Sequence, residues 1–335
     1  SDLGGLKCLQ GLRGYAVLAV FVSHCPALKI GSGGLGVQYF ILMSGFLAAM
    51  KYYDSGVSGL FRKRLRTYYP MHIFTLICSL ILVFLGHHNS WNVKRFITLA
   101  LNASLLQAYV PLGGVYFSFN AVSWYLSLTL FFAMITPAAL RLLHRIKREK
   151  FVIIGLCLIQ FLWLRFALMM PEKFQHWLVY VSPFVRSIDF FIGCLIFLSI
   201  RNSGVDERIN YLFVPVVIYE IFSVVIAGTM NTNFSREFFS VSAWTIPNII
   251  LLTCILLNEG RDSLINKIFA NKFIVYIGNI SFEFFILHTL VLGVTGKLAG
   301  KLFSESYTFS VYAAALIFTI ITADIFHKIQ AKMKG

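Results

Sequence analysis

Leu6–Cys25 reads LKCLQGLRGYAVLAVFVSHC. The apolar stretch it opens, residues 9–28, is long enough to cross a bilayer, yet it holds an arginine at position 13 and a histidine at position 24. A hydrocarbon core about 30 Å thick takes roughly 20 apolar helical residues to span. A charge in its middle costs ~2.5–3.5 kcal/mol on insertion scales, so ionisable residues inside a span mark function by default. Arg13 and His24 are 11 positions apart. At about 100° per residue those steps return to within ~20° of the starting direction, with a rise of ~16 Å. One helix face therefore carries a fixed cation near one end and a titratable base deeper in the span. This suits a reaction that draws an anionic donor from the arginine's side. A snorkelling arginine with a buried, hydrogen-bonded histidine is the weaker alternative.

Nine further stretches of spanning or near-spanning length follow, at 34–50, 70–86, 122–140, 151–170, 178–200, 211–229, 240–257, 273–295 and 307–326. Of the 335 residues, 58% are hydrophobic and 13% charged, with a mean hydropathy of +0.76. Ordinary globular chains carry about 25% charged residues. This composition excludes a soluble enzyme, a nucleic-acid-binding domain and a disordered chain. It predicts an all-α, polytopic transmembrane bundle of about ten spans, one integral membrane domain over residues 1–335. No small-residue cleavage site follows the first stretch, which reads as an uncleaved span. The six cysteines show no close-paired spacing and read as small packing residues.

An eleventh apolar stretch, 97–109, is short and holds Asn102, Ser104 and Gln107. The basic residues decide whether it crosses. If it stays on one side, 19 lysines and arginines share the N-terminal side and 7 the other. If it crosses, the split becomes 10 to 16 and the two strongest basic runs fall on opposite faces. The positive-inside rule favours ten spans with both termini cytoplasmic, and 97–109 re-entrant or interfacial. The net charge of +15 is then mainly a topology signal, not a nucleic-acid footprint.

Other polar groups stand out inside or beside the spans. Ser44-Gly45 suggests close helix packing, because Ser44 has no local base to make it a nucleophile. The stretch Phe61–Pro70, FRKRLRTYYP, reads as a cytoplasmic loop with Arg62, Lys63, Arg64 and Arg66. Such a run is either a topology anchor or a phosphate site, since arginine forks match phosphate oxygens. Arg186 and Asp189 are three apart and share a helix face, so they neutralise each other or direct Arg186 into a cavity. Glu283 and His288 lie in one span but five apart, so they do not closely share a face. His72, His87, His88, His144, His176 and His327 fall near membrane edges or in loops. No metal-ligand spacing is present, and no metal is expected.

Together these segments resemble the acyltransferase-3 family of integral membrane acyltransferases. The likeness begins with Leu6–Cys25 and continues through GVQYFILMSGF (Gly36–Phe46), the basic run before Tyr69-Pro70, and SWYLSLTLFF (Ser123–Phe132). RSIDFFIGCLIF (Arg186–Phe197) and ISFEFFILHTLVL (Ile280–Leu292) complete it in the family's order. The resemblance implies an acetyl-CoA donor on the cytoplasmic side of a bacterial inner membrane. It implies a carbohydrate acceptor, such as an O-antigen, an exopolysaccharide or a lipid-linked glycan. His24 would be the essential base, with Arg13 and the basic run Arg62, Lys63, Arg64 and Arg66 binding the donor. Trp124, Arg186, Asp189, Glu283 and His288 fall in matched segments and are candidate acceptor contacts. Ser44 or Arg186 is the candidate oxyanion donor. Two departures stand out: Thr129 replaces a carboxylate common five residues after the tryptophan, and Arg66 is four residues before Pro70 rather than three. The chain leaves no room for the extra hydrolase-like domain of some relatives. Buried Arg, Asp, Glu and His also mark ion-coupled transporters or flippases, but no internal repeat supports that alternative.

Overall fold

The computed structural model describes residues 5–85, 92–303 and 308–334; His87 and His88 lie outside them. It is all-helical, with no strand among the described residues. In chain order the helices are α1 Lys7–Ser23, α2 Gly33–Tyr52, α3 Leu60–Leu85, α4 Val93–Ala103, α5 Gly113–Tyr116 and α6 Trp124–Leu143. They continue as α7 Glu149–Leu168, α8 Glu172–His176, α9 Pro183–Ser203, α10 Phe213–Thr229, α11 Asn233–Glu237 and α12 Ala243–Leu257. The last are α13 Leu264–Phe269, α14 Lys272–Asn279, α15 Ser281–Phe303 and α16 Phe309–Lys334. Short π turns, Trp177–Val181 and Phe238–Ser242, join α8 to α9 and α11 to α12.

Nine described helical segments are long and apolar enough to cross a membrane. With α1, 17 residues long, they match the ten stretches expected from the sequence. Two thirds of α2's most apolar window is buried in protein, against 17% for α7 and α10. Thus α2, α6, α9, α12 and α15 form the interior, while α3, α7, α10 and α16 present apolar side chains outward, as lipid contact requires.

Three local expectations change, for residues 61–70, residues 273–295 and His72. Residues 61–70 are not a loop: they are the first turns of α3, which runs on through Pro70. Residues 273–295 are not one helix: the chain breaks at Ile280, between α14, which packs on α1, and α15. Residues 97–109 are expected not to cross, and they hold the end of α4, whose 11 residues rise ~16 Å, too short to cross, and a 3-10 turn at Gln107–Tyr109. Thr98 and Asn102 of α4 face inward, and Val93, Phe96 and Ile97 face out. His72 is not at an edge; it is 1% exposed, and its Nε2 lies 2.8 Å from the Asn102 carbonyl, tying α3 to α4.

Helices approach most closely where side chains are missing. A β-carbon on Gly45 of α2 would sit 1.8 Å from the Phe190 carbonyl oxygen of α9. One on Gly193 would sit 2.1 Å from the Leu42 oxygen. A second seam joins α1 to α14 through Gly14 and Gly278. Lipid tails are as apolar as leucine, so such backbone contact is what holds helices together. Overpacking a dense interior costs ~1–3 kcal/mol or more. Gly45→Leu is therefore expected to lose monodisperse protein in detergent gel filtration or to melt well below wild type. Gly155→Leu, with nothing within 4 Å of its β-carbon, is expected to match wild type.

Candidate functional site

Arg13 and His24 both turn toward the interior, but into different cavities. The first cavity, about 380 Å³, opens at the end of the bundle that carries the basic start of α3. Arg13, Lys51, Lys63 and Arg64 line it, with Glu283, His327 and Gln330. Helical period explains which basic residues of α3 take part. Leu60, Lys63, Arg64, Thr67 and Tyr68 recur at steps of three and four and line the cavity. Arg62 and Arg66 fall off that face, are exposed and do not line it. Arg64 donates to the Tyr68 hydroxyl through Nη1. Glu283, on the first turn of α15, accepts from His327 Nδ1 at 3.1 Å. Ser44 lines the same cavity, but its hydroxyl donates to Phe40 O of its own helix at 2.7 Å.

The second cavity, about 250 Å³, lies toward the other end of the bundle. His24 lines it with Gly33, Phe117, Trp124, Tyr180 and Phe285, among others. His24 is not deep within the span: it is the first residue beyond α1, and its backbone N–H still donates to Phe21 O at 3.0 Å. The side chain is exposed, in contrast to the buried position expected.

Two contacts set its protonation. His24 Nδ1 lies 2.8 Å from Val20 O, and a carbonyl only accepts, so Nδ1 carries the proton. His288 Nδ1 likewise donates to Phe285 O at 2.7 Å, which leaves the His288 Nε2 lone pair facing His24 Nδ1 at 3.4 Å. The rings meet edge to face with centroids 4.9 Å apart. Neutral His24 therefore keeps its lone pair on Nε2, the atom a general base uses, while His288 holds the opposite side of the ring. His288 itself is fully buried.

The loop before α6 is fastened beside this pair. Phe119 adopts φ +57°, unusual for a residue with a side chain. Neighbouring Asn120 holds the turn: its Nδ2 donates to Ile286 O at 2.9 Å, and its Oδ1 accepts from Thr289 at 3.0 Å. These anchors flank His288 on α15 and bring Phe117 and Trp124 to the cavity wall.

Arg186 and Asp189 line neither of these cavities. Both are fully buried, 2.9 Å apart, and Asp189 also accepts from Gln38 at 2.9 Å and from Gln160. Thr245 joins the two glutamines, so the cluster ties α2, α7, α9 and α12 together. Neither Ser44 nor Arg186 thus stands beside His24 as an oxyanion donor. Lys51, Tyr180 and Phe285 are cavity residues that the sequence did not single out; only the end-of-helix position of Lys51 gave a signal.

A family model for an acyltransferase domain, the acyltransferase-3 type, matches residues 6–328. The chain belongs to this acyltransferase family. It is also 24% identical to acyltransferase MdmB of Streptomyces mycarofaciens, over 97% of this chain and 90% of that protein. No solved structure matches the chain. For this family member the two-cavity arrangement separates a cationic chamber from His24.

Side-chain exposure can be read chemically. In detergent, diethyl pyrocarbonate is expected to modify His24 and His144, which are exposed, and half-buried His327. His72 and His288, 1% and 0% exposed, should react at least about tenfold more slowly by peptide mass spectrometry.

Proposed function

We propose that this membrane acyltransferase moves an acetyl group from acetyl-CoA, bound from the cytoplasm, to a hydroxyl of a carbohydrate acceptor entering from the opposite face. The membrane is the inner membrane of a bacterium, and both chain termini lie in the cytoplasm. The observation that carries this reading is the His24–His288 pair, with His24 opening on one cavity and a four-cation cavity on the other side of the bundle. The positive-inside rule puts the cationic chamber on the cytoplasmic side.

In this reading Lys63, Arg64 and Lys51 hold the donor's phosphates, and Arg13 stands further along the thioester's path. Planar guanidinium forks suit phosphate oxygens. The acceptor, an O-antigen, exopolysaccharide or lipid-linked glycan, lies against Phe117, Trp124 and Tyr180, whose rings offer flat apolar faces to a sugar. His24 Nε2 takes the proton from the acceptor hydroxyl as its oxygen attacks the thioester carbonyl. The tetrahedral intermediate collapses, the C–S bond breaks, and the proton on His24 passes to the departing thiolate. During the step the imidazolium keeps its Nδ1–H on Val20 O and the His288 lone pair. His288 is thus a positioning residue.

General-base groups contribute about 10²–10⁴-fold to rate. His24→Ala is expected to insert and purify normally but to lose at least ~10²-fold of acetyl transfer, followed with labelled acetyl-CoA. Normal transfer by that variant refutes the mechanism. His288→Ala should lower kcat about tenfold while leaving the donor KM within about twofold, because it acts through His24. A Lys63→Ala, Arg64→Ala double variant should show the opposite split, a raised donor KM with kcat nearly unchanged.

A further inference from the structure

The two cavities meet at one side chain among the described residues. Phe285 alone among the described residues lines both. Its ring, 5% exposed, packs 5.2 Å from Tyr125 and 6.1 Å from Phe40, and those two rings are 6.3 Å apart. Each ring comes from a different helix: α2, α6 and α15. The three close an aromatic layer between Arg13 and His24. Centroid separations of ~4.5–7 Å are those of rings in direct contact, so no chain threads between them without displacing one.

We propose that the Phe285 ring is the acyl-size filter of this protein, setting which acyl groups reach His24. The inference rests on the acyl-transfer reading above. A donor anchored by Lys63 and Arg64 presents its acyl group at the tip of a thin arm. The tip must pass the aromatic layer before the hydroxyl can attack it. A two-carbon group needs only a tilt of one ring, whereas a longer or branched group needs the ring moved aside against a dense interior. The hydrogen bond that fixes His288 goes to the Phe285 carbonyl, while the Phe285 ring packs beside the His288 ring at 5.9 Å. Truncating the side chain therefore widens the passage and keeps the backbone hydrogen bond that orients His288, and Phe285→Leu also keeps apolar bulk beside that ring.

The test compares acetyl-, butyryl- and benzoyl-CoA as donors for the purified full chain with a fixed acceptor. Phe285→Ala should raise the kcat/KM ratio of butyryl to acetyl donor at least tenfold, and Phe285→Leu should raise it less. Phe282→Ala, which alters only the cationic cavity, should keep the ratio within twofold of wild type. An unchanged ratio in both Phe285 variants, with acetyl transfer retained, overturns the filter. So does loss of all transfer in both variants when gel filtration shows them folded, since the ring then serves the chemistry itself. Should Phe285→Ala fail to fold, Phe285→Leu and Phe40→Leu decide on the same ratio. If wild type transfers no acyl group from any of the three donors, the acyl-transfer reading fails first, a result distinct from an unchanged ratio.

Discussion

The close crossing of α2 on α9 sets the rest of the architecture. Backbone meets backbone where Gly45 faces the Phe190 carbonyl and Gly193 faces the Leu42 carbonyl. In a bilayer no hydrophobic force pushes helices together, so tight packing and polar contacts carry that task. The α1–α14 seam at Gly14 and Gly278 does the same on the other flank. With α1 and α2 backed against these partners, their remaining faces bound the two cavities. Val20 of α1 and His24 just beyond its end reach one, and Arg13 reaches the other.

Burial separates two arginines that look alike in sequence. Arg186 meets Asp189 at 2.9 Å inside a cluster completed by Gln38, Gln160 and Thr245. A buried charge that is paired and hydrogen-bonded through its partner is a structural tie, and this one spans four helices. Arg13 instead lines an open chamber together with Arg64 and Glu283. The same contrast separates the histidines: His72 is spent on the Asn102 carbonyl, whereas His24 keeps Nε2 toward a cavity.

Much of this was legible in the sequence. Ten apolar stretches, the inward face shared by Arg13 and His24, and the Arg186–Asp189 pairing follow from local composition and the 3.6-residue period. The basic run at 62–66 looks like a loop in sequence, because charge interrupts hydropathy without ending a helix. Once helical, it divides: Lys63 and Arg64 face the chamber, and Arg62 and Arg66 do not. Glu283 and His288 were seen to face apart, and they do, toward His327 and His24 respectively. Their partners, 44 and 264 positions away, were not visible.

By itself, then, the sequence determined a helical membrane bundle with an arginine and a histidine on one stripe of its first span. Those are properties of neighbouring residues, governed by transfer from water to hydrocarbon and by helix geometry. Only the tertiary structure decided that the stripe opens into two chambers, that His288 steadies His24, and that Phe40, Tyr125 and Phe285 stand between the chambers. Such contacts join helices distant in the chain, and they depend on which backbones can approach where a side chain is missing.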